Sequence, residues 1–170
     1  MLLQKISLLK LSELKRVGCP DTPLYAIYGS LKHQVVLKHS HIKIYVRENT
    51  SVANREKLLS EWYREQLHHL VQELIPKWEE TINVKVNSWN IKKMRTKWGS
   101  YNTDKKNVLL NLNLAKTPVE CVEYIVVHEL VHLLERHHND NFQIYMDRFL
   151  PEWKQCREVL NESVLSFEEW

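Results

Sequence analysis

The run VVHELVHLLERHH, Val126 to His138, sets His128, Glu129 and His132 as His-Glu-x-x-His, with His137 and His138 close behind. On a helix, residues four apart point the same way and stand about 6 Å apart along the axis. Two imidazoles so placed reach one metal ion, and nitrogen donors suit zinc at about 2.0 to 2.1 Å. Glu129 is the candidate to take a proton from a zinc-bound water. A catalytic zinc takes three protein ligands and keeps one position open. Glu135 lies on the same face, but about 10.5 Å beyond His128 along a straight helix, too far to share the ion. It reads instead as a surface carboxylate or one that supports a ligand, as do Asp140 and Asp147. The third ligand must come from chain that turns back. His138 qualifies if the helix ends near Arg136, with Asn139 or Asn141 in the left-handed conformation of such a turn. His137 is the alternative. The plainer reading is a helix with two exposed histidines, in a chain that holds 9 of them. The apolar residues before and between the motif positions argue against it.

The elements that must carry these groups follow from periodicity and turn chemistry. Thr117, Pro118 and Glu120 read as an N-cap, a first helical residue and a capping box. The helix they start runs through Val122, Ile125, Val126 and Leu130 to at least Leu134. Helices are expected over about 141–149 and 151–164, the second opened by Pro151. Upstream, NVLLNLNLA alternates as a strand, with Leu110, Leu112 and Leu114 on one side and Asn111 and Asn113 on the other. INVKVNSWNI alternates at Ile82, Val84 and Val86 and reads as another strand. From Ala53 to Trp78 the apolar residues recur at helical spacing, giving a long amphipathic helix that Pro76 ends or kinks. Its aromatic and aliphatic stripe reads as core, and His68 and His69 as surface. YAIYGSLKHQVVLKH and HIKIYVRE read as strands, with turns at Gly29-Ser30 and 39–41. A short helix is expected over 6–17, followed by a break at 18–23.

Composition bounds the answer. The chain has 170 residues, 44% hydrophobic and 26% charged, as in a soluble globular domain. Only 3 glycines argue against a turn-rich all-β fold. A net charge of +3 does not by itself point to nucleic acid. Cys19, Cys121 and Cys156 are widely spaced and read as free thiols of a reducing compartment, so the cytoplasm is the expected location. Lys5, Lys10 and Glu13 interrupt the apolar N-terminal run, which is not read as a signal peptide. No apolar run reaches membrane-spanning length, so no membrane contact is expected.

A second stretch, KKMRTKWGSYNTDKK, gathers Lys92, Lys93, Arg95, Lys97, Lys105 and Lys106 around Trp98 and Tyr101. One reading is a basic lip over residues 92–106 with stacking platforms for nucleic acid or nucleotide phosphates. The preferred one is a solvated loop with Trp98 packed inward. Arg95 is a candidate to stabilise an oxyanion near the metal, and Arg95, Asn111 and Asn113 are the substrate-binding candidates.

Taken together, Trp98-Gly99-Ser100, the Leu-Asn strand, the Pro-initiated helix, His-Glu-x-x-His, His138 with Phe142, and Pro151 resemble the YgjP-like metallopeptidase-domain family over residues 51–160. These are small zincins, related more distantly to SprT-like and WLM proteins. The resemblance implies an α+β, zincin-like fold: a small, mostly antiparallel sheet packed on a long helix and an active-site helix, with C-terminal helices. It implies one metallohydrolase domain over 1–170, with residues 1–23 as an N-terminal extension. It also implies a zinc held by His128, His132 and His138, with Glu129 as general base. One departure is Tyr101, where the family pattern has cysteine after Trp-Gly-Ser. The spacing is also that of metzincins, but those place glycine where this chain has Glu135.

The expected function is therefore a zinc-dependent hydrolase, a metallopeptidase acting on a peptide or protein that pairs with the VLLNLNL strand. The alternatives are a metal-dependent nucleotide hydrolase, or a non-catalytic zinc module that binds nucleic acid or protein.

Overall fold

The computed structural model describes residues 23–38 and 41–162. The helix expected over 6–17 and most of the break at 18–23 lie outside them. Three strands come first: β1 (Leu24–Ile27), β2 (Gln34–Lys38) and β3 (His41–Tyr45). β3 lies between the other two, parallel to β1 and antiparallel to β2. Its alternation buries Ile42 and Ile44, and Gly29 supplies the left-handed turn residue after β1, at φ 84°.

Helix α1 then runs from Val52 to Ile82. Ser51 caps its start by accepting from the Asn54 N–H at 3.3 Å. Pro76 neither ends the helix nor breaks it. It sits on the exposed side, where the carbonyl that loses its partner faces water. Asn83 closes the helix in the left-handed conformation, at φ 60°. The strand expected from Ile82 therefore starts late. Ile82 is the last helical residue, and the buried Glu79 carboxylate accepts from the Val86 N–H and the Lys85 ammonium, both at 2.7 Å. The alternation of Ile82, Val84 and Val86 reflects this return against the helix end, and β4 spans only Ser88–Lys92.

The second sheet consists of β4, β5 (Gly99–Asn102) and β6 (Asn107–Asn111), in the order β4-β6-β5. β6 is central, parallel to β4 and antiparallel to β5. The α+β class holds. The sheet expected to be single and mostly antiparallel is instead two mixed sheets of three strands among the described residues.

The basic loop 93–98 crosses over the end of β6, and Asn111 ties it down. Its fully buried side chain donates to the carbonyls of Met94 at 3.1 Å and Lys97 at 2.6 Å. Its Oδ1 accepts from the Asn113 N–H at 3.1 Å. The strand expected to continue through Leu114 stops there. A 3-10 helix, Leu112–Lys116, takes over, and Leu112 and Leu114 are buried within it.

Helix α2 spans Val119–Val131, α3 Asp140–Phe149 and α4 Trp153–Glu162. The capping box at Thr117 does not form. Thr117 ends the 3-10 helix and turns its hydroxyl to the Leu114 carbonyl at 2.9 Å, which leaves Pro118 at the cap with no side-chain bond. Every residue of α2 from Tyr124 to Val131 is buried. A helix apolar all round belongs at the centre of a fold. It packs against α1, β5, β6, α3 and α4. The Glu123 carboxylate accepts from Lys77 Nζ at 2.6 Å and Trp78 Nε1 at 2.9 Å, tying α2 to α1. No helix among the described residues is long and apolar enough to cross a membrane.

Candidate metal centre

α2 ends at Val131, three residues before the sequence suggested. The N–H groups of Leu133 and Leu134 bond back three residues, to Leu130 and Val131. This tightening begins the turn without a left-handed residue. Asn139 is not left-handed either: it is extended, at φ −91°, and caps α3, accepting from the Phe142 N–H at 3.0 Å. Asn141 is already helical. The early stop brings His138 back over the helix end, where its ring meets those of His128 and His132; His137 is not part of this group.

His138 Nε2 lies 3.0 Å from His128 Nε2 and 3.1 Å from His132 Nε2. All three donor atoms fall within 4.8 Å of one another. Tetrahedral ligands at zinc–nitrogen distance stand about 3.3 to 3.4 Å apart, so the cluster has the size of one coordination shell. Proton counting leads the same way. His132 Nδ1 faces the Glu135 carbonyl at 3.1 Å, which places the hydrogen there and leaves Nε2 a lone pair. His138 Nε2 faces two nitrogens and, in a neutral ring, carries one hydrogen at most. At least one pair therefore meets without a hydrogen between them unless a cation lies among them. The Phe142 ring backs all three imidazoles, with centroids 4.8 to 4.9 Å away.

Burial is the first cause of the low pKa of each histidine. His128 is held well below the usual imidazole value by burial and by the charges on His132, His138 and Arg157. Burial lowers His132 against the pull of the Glu135 carbonyl, and lowers His138 together with Arg157 and His137. All three favour the neutral form a metal requires. Glu129 is 1% exposed, and burial raises its carboxyl to about 8 against an opposing pull from Lys97. Its Oε1 has no hydrogen-bond partner among the described residues. A divalent cation beside it would favour the carboxylate. The donor set and the orphaned oxygen both fit a metal.

Glu129, His132 and His138 line a cleft of about 460 Å³ that β5 walls, while His128 is buried. Gly99 makes the close approach possible. A methyl group there would come within 2.9 Å of Glu129 Cδ and Cγ, and closer still to Oε1. Thr96, Lys97, Ser100, Tyr101, Thr103 and Arg136 complete the lining with the site residues.

The family described as YgjP-like, metallopeptidase domain, matches residues 21–163. The chain belongs to that family. The match reaches further toward the N-terminus than the resemblance over 51–160 and takes in the first sheet. Among solved structures, the metallopeptidase zymogen abylysin of Pyrococcus abyssi is 17% identical, with a TM-score of 0.52 over 57% of this chain and 97% of its own. The metallopeptidase zymogen jannalysin of Methanocaldococcus jannaschii is 22% identical, with a TM-score of 0.42 over 53% and 88%. The abylysin likeness bears on the fold. No curated protein matches the chain significantly.

The structure places the remaining candidates as follows. Arg95 is exposed in the crossover loop and does not line the cleft. Asn111 is consumed in holding that loop, and Asn113 sits in the 3-10 helix, also outside the cleft. Asp140 is exposed, and Asp147 accepts from Trp153 Nε1 at 2.7 Å, so neither supports a histidine. Glu135 does support His132, but through its carbonyl; its carboxylate accepts from the His137 N–H at 3.1 Å. Trp98 is 1% exposed and offers no stacking platform, so nucleic-acid contact through 92–106 is not supported. Lys97, Arg136 and Arg157 were missed. Lys97 alone had a signal, as one cation among six in the basic stretch.

Replacing Gly99 with alanine should displace the Glu129 carboxylate and lower turnover at least tenfold while the protein still binds metal; equal turnover contradicts the close approach. A second expectation concerns pH. Folded Glu129 keeps its proton up to about pH 8, whereas the carboxyl of the unfolded chain ionises near 4.5. Between those values the folded state holds the extra proton, so this group lowers stability as pH rises. Metal-free Glu129→Gln should therefore be more stable than wild type. The margin should widen across that window to a few kcal/mol, read by denaturant titration. The histidines are common to both proteins and cancel. A flat margin contradicts the raised value.

Proposed function

We propose that the chain hydrolyses peptide bonds with one zinc ion held by His128, His132 and His138, and with Glu129 as general base. The observation that carries this is the convergence of three imidazoles beside the buried Glu129, with Glu129, His132 and His138 lining an open cleft. Bound zinc would supply Lewis acidity for the scissile carbonyl and for a water.

The chain's own residues do the rest. Glu129, which lines the cleft and whose Oε1 has no hydrogen-bond partner among the described residues, takes the proton of the attacking water and passes it to the leaving amine. The Glu135 carbonyl orients His132 through Nδ1. The VLLNLNL strand cannot receive the substrate, because β6 is paired on both sides. β5 is the edge strand at the cleft. The Asn111 N–H bonds to the Trp98 carbonyl at 2.8 Å, which fixes the antiparallel phase. In that phase the backbone groups of Gly99 and Tyr101 point away from β6. An extended peptide adding there would pass over Glu129.

A non-catalytic zinc module has no use for Glu129. An unpaired buried carboxyl costs stability, and a structural site gains nothing from it. The test is to incubate the zinc-loaded protein with unfolded protein and, separately, with nucleoside triphosphates, each with and without chelator. Peptide cleavage should stop with chelator and fall about 10² to 10⁴-fold in Glu129→Gln. Cleavage that survives both, or hydrolysis of triphosphates alone, contradicts the proposal.

A further inference from the structure

The cleft has an electrostatic character that zinc hydrolysis alone does not require. Lys97 enters it from the crossover loop, and Arg136 from the turn after α2. The one carboxylate in the lining is Glu129, committed to the metal and the water. The remaining lining side chains beyond the histidines are the hydroxyls of Thr96, Ser100, Tyr101 and Thr103. No Val, Leu, Ile, Met or Phe side chain lines the cleft, and Tyr101 is the one large ring there besides the histidines.

Neither cation forms an ion pair among the described residues, although Lys97 acts electrostatically on Glu129. The ion pairs of the described residues lie elsewhere, at Lys57–Glu61, Lys77–Glu123, Lys85–Glu79 and Lys154–Asp147. The acid next to Arg136 in the chain, Glu135, is turned to the His137 N–H. Two cations at one cleft, walled by protein, focus positive potential where the substrate lies.

We propose that Lys97 and Arg136 select substrates that carry a carboxylate close to the scissile bond. This rests on the peptidase reading above. The carboxylate comes from an aspartate or glutamate side chain or from the free C-terminus of a short peptide; the chemistry at the two cations is the same. A carboxylate at about 4 Å from a cation in water gains about fivefold, so two cations give roughly twentyfold.

The experiment uses the zinc-loaded full chain and a set of quenched peptides that differ at one residue beside the scissile bond: Glu, Gln or Lys. Each is made with a free and with an amidated C-terminus. The Glu peptide should exceed the Gln peptide about twentyfold in kcat/KM at low salt, and by less in 0.5 M salt, where screening shortens the reach of the charges. If free-acid peptides exceed amidated ones instead, the terminal carboxylate is the source; both results uphold the proposal. The double variant Lys97→Glu/Arg136→Glu should invert the order and favour the Lys peptide. A ratio of two peptides in one sample cancels any loss of folded protein. Dye-labelled versions binding to Glu129→Gln should show the same order by anisotropy, without turnover. Cleavage with equal ratios, or an order unchanged in the double variant, overturns the selection and leaves the peptidase reading intact. No cleavage of any peptide, with nucleoside triphosphates hydrolysed instead, overturns both.

Discussion

The meeting of three imidazole nitrogens around one point governs the rest of this structure. Neutral rings each offer one N–H, and the hydrogen of His132 faces the Glu135 carbonyl. Lone pairs are therefore brought together at about hydrogen-bond distance without enough hydrogens to separate them. Burial compounds the problem, since it disfavours the charged rings that could supply more. A shared cation resolves both conflicts. Such an arrangement persists in a fold only if the surroundings enforce it.

The surroundings do so in identifiable ways. α2 is buried on all sides, so its C-terminal end cannot shift without disturbing the core. The Asn139 cap sets the start of α3 and hence Phe142, against which all three rings rest. Asn111 pins the crossover loop, the loop leads into β5, and Gly99 lets β5 reach Glu129. The strain of an orphaned carboxyl and three crowded imidazoles is concentrated in one cleft, as expected where chemistry is done.

The legible parts of the sequence were those with a local cause. His-Glu-x-x-His announced itself because helical geometry alone puts both histidines on one face. The long helix was legible because its stripe from Leu67 to Trp78 is real core. The element ends were not. Thr117-Pro118-Glu120 has the composition of a capping box, yet the 3-10 helix before it takes Thr117 for its own end. Leu110, Leu112 and Leu114 alternate like a strand, but the strand ends at Asn111, and Leu112 and Leu114 are buried from a 3-10 helix, a change the alternation alone does not show. His138 could be favoured partly through family resemblance, because the turn that returns it is made by three-residue backbone bonds rather than by a residue with a left-handed preference. Arg95 and Lys97 lie two residues apart in one basic run, and only the path of the crossover decides which faces the cleft. Arg157 reaches the site from α4, more than twenty residues after the motif, with no local signal at all.

The measurement that bears most directly on the account is metal content by elemental mass spectrometry, on wild type and on His138→Ala, both purified without chelator. The account predicts about one zinc per wild-type chain, and a loss or marked weakening in the variant. Wild type that neither holds zinc nor takes it up, or a variant that holds it as tightly as wild type, would contradict a three-histidine centre.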